Sequence, residues 1–264
     1  MRRRGLSLAL LACLAVCLSE SAAAGAHSFL FVDAPRELPQ SRVAVALESG
    51  YEHQGIEDAF GDASAYRLGL RLPLGTRFET IAHLDSRGGP SPTTTSGELH
   101  ARWTAGRGHG EARMFSVSAG GRQEDTGVTT LLASFAGSVP LGTSRAAMSV
   151  NFERPVSEAR DEVDLLTSAG WMKPFGSRFQ AGVEVCGQDL EGFWEEEEAE
   201  GGASFFVGPT LTMRGGGTPW GLSVAGGPVF HATSSSLSSE APRPLPTGRN
   251  GYALRFALRI GEAD

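Results

Sequence analysis

The sequence predicts an all-β fold: an antiparallel, up-and-down transmembrane β-barrel of about 12 strands that follows a cleaved signal peptide. Three observations point there. Apolar and polar residues alternate in stretches long enough to cross a bilayer, one glycine turn recurs in three copies, and the connections are short at one end of the stretches and long at the other.

The chain has 264 residues, and its first 26 carry the marks of an export leader. Arg2 to Arg4 form a basic start, Leu6 to Leu18 an apolar run, and Ala24-Gly25-Ala26 a small-residue cleavage site. The run falls short of the ~20 residues that a transmembrane helix needs. Leu11-Ala12-Cys13 has the form of a lipid-anchor site, but the chain stays apolar beyond Cys13, so it reads as part of the leader. The domain plan is a signal peptide over 1–26, a periplasmic segment over 27–41 and the barrel over 42–264. Cys13 and Cys17 leave with the leader, and Cys186 alone cannot form an internal disulfide. Without Arg2, Arg3, Arg4 and Glu20, the 23 basic and 30 acidic residues become 20 and 29, a net charge of −9. That balance argues against nucleic acid as a partner and against a polybasic membrane-surface role. With 35 glycines, 14 prolines and no further long apolar run at helical period, almost no helix is expected.

The recurrent turn is LPLGTRF (Leu72 to Phe78), VPLGTSR (Val139 to Arg145) and KPFGSRF (Lys173 to Phe179). Glycine supplies positive φ and proline cannot donate to a ladder, so each copy ends one strand and begins the next. Working outward places strands at Arg42–Tyr51, Ala65–Leu74, Arg77–Asp85, Gly97–Ala105, Glu111–Gly120, Thr126–Leu141, Ser144–Glu153, Glu162–Pro174, Arg178–Cys186, Ala203–Arg214, Thr218–His231 and Gly251–Gly261. Even-numbered strands end in short glycine-rich turns, AGRGHGE and GGGTP among them. Odd-numbered strands end in longer polar stretches, of which GRQED after strand five is the shortest. An outer-membrane barrel with both termini in the periplasm has this asymmetry. The acidic run WEEEE, Trp194 to Glu198, reads as a solvated extracellular loop, with a calcium or lipopolysaccharide-bridging cation site as the sharper alternative.

Alternation assigns the faces. In GYALRFALRIG, Tyr252, Leu254, Phe256, Leu258 and Ile260 share one face, Arg255 and Arg259 the other. YRLGLRLPL sets Tyr66, Leu68, Leu70, Leu72 and Leu74 against Arg67 and Arg71. Strand four sets Leu99, Ala101 and Trp103 against His100 and Arg102, and strand nine sets Phe179, Ala181, Val183 and Val185 against Gln180 and Glu184. The candidate lumen-lining set is Arg67, Arg71, Glu79, His100, Arg102, Glu184, Arg214, Arg255 and Arg259. Lysine is nearly absent, Lys173 lying beside a turn, and arginine suits crowded ion pairs in a confined bore. Tyr51, Tyr66, Phe78, Trp171, Phe179, Trp220 and Tyr252 fall near strand ends, where interface girdles sit.

The C-terminal third carries a resemblance. GGASFFVGPTLTMR, then TPWGLSVAGGPVF, then a Ser/Pro-rich loop and YALRFALRIG resemble the end of outer-membrane barrels of the transporter-like family tied to the meta-cleavage pathway of phenol degradation. The resemblance covers about Ala203 to Gly261 and implies an outer-membrane channel or uptake protein for small hydrophobic compounds. Such barrels end on an aromatic residue read by the outer-membrane assembly machinery, whereas this chain ends on Ile260 followed by GEAD.

No cofactor and no catalysis are expected. There is no Walker loop, no Cys-x-x-Cys pair and no His-Glu-x-x-His helix, and His231 beside Ser234 opens a serine-rich loop without an acidic partner. Cleavage after Ala26 would make His27 the N-terminal residue, able to bind copper through its amine and ring nitrogen. The expected function is therefore passage of an unidentified small-molecule solute through an outer-membrane channel bounded by lipid bilayer and lipopolysaccharide, with an arginine-biased wall favouring anionic or polar solutes. Whether the luminal charges line a pore or form a salt-bridged plug stays open at this level. So do two other readings: a secreted or periplasmic β-sandwich binding module using His27, and a structural barrel without transport.

Overall fold

Gly75, Gly142 and Gly176, the glycines of the three recurrent turns, all adopt positive φ, at 107°, 64° and 67°. Each reverses the chain between antiparallel neighbours. In the computed structural model, which describes residues 29–35, 43–56, 62–89, 92–106, 113–156, 164–193, 203–215, 220–231 and 250–261, these hairpins belong to one closed sheet. Residues 1–26, expected to be a signal peptide, His27 and Trp194 to Glu198 lie outside the described residues.

The strands are β1 (Ala44–His53), β2 (Asp62–Pro73), β3 (Phe78–Gly88), β4 (Thr94–Ala105), β5 (Met114–Glu124), β6 (Thr129–Leu141), β7 (Ser144–Pro155), β8 (Asp164–Phe175), β9 (Phe179–Gln188), β10 (Ser204–Arg214), β11 (Trp220–His231) and β12 (Asn250–Ile260). Each pairs with its sequence neighbours, and β12 closes on β1 with Val45 opposite Ile260 and His53 opposite Tyr252. Closure leaves no unpaired edge, which a bilayer would not tolerate. One short 3-10 turn, Leu190–Phe193, follows β9.

The short-turn ends of the strands fall where the sequence puts them, while several strands run further at the other end. β3 extends from Asp85 to Gly88, β5 from Gly120 to Glu124 and β9 from Cys186 to Gln188. There the strands leave the apolar slab, so the ladder continues without the alternation that reveals it in sequence. GRQED is accordingly not a long loop. It ends β5, and a tight turn follows in which Glu124 N–H donates to Val128 C=O at 2.9 Å and Gly127 N–H to Glu124 C=O at 3.0 Å. The connection 106–113, read as short, spans as many residues as 54–61, so the asymmetry rests mainly on the loops after β9 and β11.

The outer surface is apolar. Leu47, Leu68, Leu84, Leu99, Leu131, Phe135, Met148, Val183, Leu211, Leu222 and Phe256 all stand exposed on the barrel wall. A closed sheet with this exterior needs lipid around it. Phe78, Trp103, Phe115, Trp171, Phe179 and Trp220 lie toward the short-turn rim; Tyr51, Tyr66 and Tyr252 lie toward the other. These form two interface belts. Phe135→Arg, at the middle of β6, is expected to weaken folding into phosphatidylcholine vesicles by about 2–4 kcal/mol, measured by denaturant titration.

The interior holds more than strand side chains. Phe29, Phe31, Val32 and Ala34 are buried, and the partners of residues 29–33 are inward-facing residues of β4, β7, β8, β9, β10 and β12. The sequence reading put 27–41 in the periplasm ahead of the barrel; residues 29–35 instead cross the bore. Their apolar side chains find there a surface that water outside would not provide.

Candidate functional site

The bore has two unlike halves. On β8 to β11 most inward positions are small, hydroxylic or apolar, among them Gly170, Met172, Gly182, Cys186, Phe206, Thr210, Ser223, Ala225 and Val229. From β12 through β1 to β5 they carry most of the charge.

Register makes the charged half pair with itself. Glu48, Arg67 and Asp85 sit directly across from one another on β1, β2 and β3, and Arg67 Nε reaches Asp85 at 2.5 Å. Glu79 opposes Arg102 across β3 and β4 at 3.5 Å, and Arg71 approaches the same carboxylate at 3.8 Å. Arg259 faces Glu48 at 3.7 Å and Arg255 faces Glu52 at 3.5 Å. Arg122 forks onto Glu153 at 3.2 and 2.5 Å, reaching across β6. Opposite charges on neighbouring strands stabilise a sheet, and a desolvated wall needs them balanced.

The nine residues nominated from the sequence therefore have unequal places. Arg67, Arg71, Glu79, Arg102, Arg255 and Arg259 belong to this paired wall, and His100 bonds Glu98 two residues along β4. Glu184 stands apart on the apolar half, and Arg214 is half-buried at the short-turn rim as the last residue of β10. Glu48, Glu52, His83, Asp85, Glu98, Arg122 and Glu153 were missed. The signal was available: His83 and Asp85 share the parity of Glu79, and Glu98 that of His100. Adding them removes the arginine surplus, so the wall is nearly balanced and the expected anion bias loses its basis.

Residues 29–35 use both halves. Phe31 stacks on Phe206 with ring centroids 4.1 Å apart, and the Arg255 guanidinium lies 4.3 Å above the same ring from the charged side. Phe29 fills the space beside Gly170, where even a Cβ would come within 2.7 Å of its ring. Asp33 accepts from Arg102 and lies 3.8 Å from Arg71, and Asp33 N–H donates to Ser149 Oγ at 3.2 Å. Arg259 donates to the Phe29 carbonyl at 3.0 Å.

Glu184 anchors the segment. Its side chain is fully buried, and three successive backbone N–H groups converge on it: Leu30 at 3.0 Å to each oxygen, Phe31 at 2.6 Å and Val32 at 3.0 Å. Thr210 Oγ1 adds a fourth donor at 2.6 Å. Consecutive N–H groups make a concave anion site, and here the anion belongs to the barrel wall.

The segment does not fill the bore. A cavity of about 210 Å³ touches Phe31, Asp33, Arg71, His83, Glu98 and Arg122, and another of about 190 Å³ touches Glu52, Ser64, Asp85 and Arg87. Leu30 borders both. Each has room for several waters at about 30 Å³ apiece. Against the larger one, His83 Nδ1, Glu98 Oε1 and His100 Nε2 lie within 4.8 Å of one another, a donor set suited to a metal ion.

No family model matches the chain, and no curated protein matches it. Solved structures do. A KdgM porin in complex with disordered oligogalacturonate is similar over 83% of this chain and 99% of its own, at 6% identity and a TM-score of 0.52. A second KdgM porin structure covers 83% and 99% at 9% identity with a TM-score of 0.49. The anion-selective porin from Comamonas acidovorans covers 83% and 98% at 7% identity with a TM-score of 0.41. At such identities the likeness to the first is one of fold. The chain has the closed antiparallel architecture of an outer-membrane barrel, and its apolar belt places it in that membrane.

Proposed function

We propose that this barrel is an outer-membrane channel for small polar solutes, with a bore narrowed by its own residues 29–35. The observation that carries the reading is the pair of cavities on either side of Leu30, walled by charges of both signs rather than by a close-packed core. A barrel that served only as a scaffold would gain more by filling that space. Wider barrels leave aqueous passages, and paired charges across a narrow one hold a transverse field that suits neutral or zwitterionic polar solutes.

A second reading follows from the apolar half-wall. Phe206, Val229 and Ala225 would be uncovered if Phe31 withdrew, and an aromatic solute could take its place, in keeping with the phenol-degradation family that the C-terminal strands resemble. Reconstitution into planar bilayers tests both. Brief openings with weak ion selectivity in a salt gradient are expected. If neither the intact chain nor one lacking residues 29–35 conducts, the channel reading fails. Openings lengthened by benzoate but not by acetate would favour the aromatic solute.

A further inference from the structure

We propose that His83, Glu98 and His100 form a binding site for one divalent transition-metal ion, with zinc as its reference occupant, in the wall of the bore. The three come from two adjacent strands. His83 on β3 is directly across from Glu98 on β4, and His100 follows two residues later on the same face. Glu98 Oε1 accepts from both imidazoles, from His83 Nδ1 at 3.0 Å and from His100 Nε2. Two nitrogens and one carboxylate oxygen on one side of an ion, with the other side open, is the donor set of borderline ions; magnesium and calcium prefer all-oxygen shells.

The surroundings fit an ion. The inward residue beside His83 on β2 is Gly69, and the one beside His100 on β5 is Gly120. A Cβ at Gly69 would press His83 Cδ2 at 3.2 Å, so the His83 ring occupies space that a side chain would fill; one at Gly120 would meet the Leu99 carbonyl at 2.1 Å as well as His100 Nδ1 at 2.9 Å, so the backbone too comes close there. Two neighbouring cations bond other carboxylates, Arg67 with Asp85 and Arg122 with Glu153, while Glu98 bonds the two rings. Ligands of a tetrahedral ion lie about 3.4 Å apart. Zinc entry therefore moves the His83–Glu98 contact out by a few tenths of an ångström and the closer His100–Glu98 contact by more, and displaces the ring protons, and water from the 210 Å³ cavity completes the shell. The site needs no conduction: it stands whether or not the bore passes solute.

The test uses the full mature chain, refolded in detergent and freed of metal, titrated with zinc by calorimetry and with cobalt by visible absorption. One ion per barrel is expected. His83→Ala and His100→Ala should each weaken zinc binding by more than about 100-fold, beyond what loss of an outer-shell partner costs, and abolish the cobalt band. His53→Ala, on the outer face, and His27→Ala should leave both unchanged. Diethyl pyrocarbonate labelling of the unmutated chain, read by mass spectrometry, makes the test independent of variant folding: zinc should protect His83 and His100. Equal labelling with and without zinc, or zinc affinity indifferent to both luminal substitutions, would overturn the proposal.

Discussion

A chain lacking Phe29–Pro35 but otherwise unchanged is expected to show long-lived openings and larger unit conductance in planar bilayers, where the intact chain opens briefly. The segment crosses the bore and contributes buried Phe29, Phe31, Val32 and Ala34. Without it the two cavities bordered by Leu30 become one passage. The barrel itself should survive, because every strand keeps both hydrogen-bonded neighbours and none pairs with the segment. Retained heat-modifiable migration on a gel would show this. Glu184 then meets water instead of three backbone N–H groups, so its burial no longer needs a partner. Unit conductance equal to that of the intact chain would mean that the passage lies elsewhere.

Glu184→Gln is expected to raise the open probability about 10–100-fold while leaving unit conductance in the open state unchanged. A carboxylate offers two acceptor oxygens to Leu30, Phe31, Val32 and Thr210; an amide offers one and turns an NH₂ toward the remaining donors. Losing charge-assisted bonds of this kind costs roughly 1.5–3 kcal/mol, and each 1.4 kcal/mol is a factor of ten in the closed-to-open equilibrium. The effect should vanish in the chain lacking residues 29–35, since nothing is left to hold. Thr210→Val removes one neutral donor and should shift the equilibrium by about 1 kcal/mol or less. Identical gating in Glu184→Gln and the parent would show that apolar contacts alone retain the segment.

Much of the barrel was legible in the sequence because its cause is local. A strand between lipid and lumen must alternate, so Tyr252, Phe256, Leu258 and Ile260 turned out exposed and Arg259 buried, as read. The turns of Gly75, Gly142 and Gly176 require positive φ that glycine alone adopts cheaply, and they ended strands where expected. Strand ends beyond the slab were less legible: residues 121–124 pair in β5 although GRQED lacks any apolar alternation. The outer-facing tyrosines and tryptophans marked the belts, since ring and polar tip respond to the interface itself.

The site divides along the same line. Parity alone put Arg67, Arg71, Arg102, Arg255 and Arg259 inward, and the same rule reached His83, Asp85 and Glu98, which were passed over only because alternation was not followed along β3 and β4. What alternation cannot supply is register. Whether Arg67 meets Asp85, or His83 meets Glu98, depends on how two strands slide past each other, and sliding is set by turn length and barrel closure. The segment 29–35 is the extreme case. SFLFVDAP has no strand pattern and no turn, and its place depends on Glu184, 152 to 154 residues away in the chain, and on Phe206 and Gly170. The sequence by itself determined the strand count, the lipid face and the polarity of the bore, because each follows from neighbours two residues apart. Only the tertiary structure decided that the charges balance and that the N-terminal segment lies inside, because both arise when closure brings distant strands to one small volume.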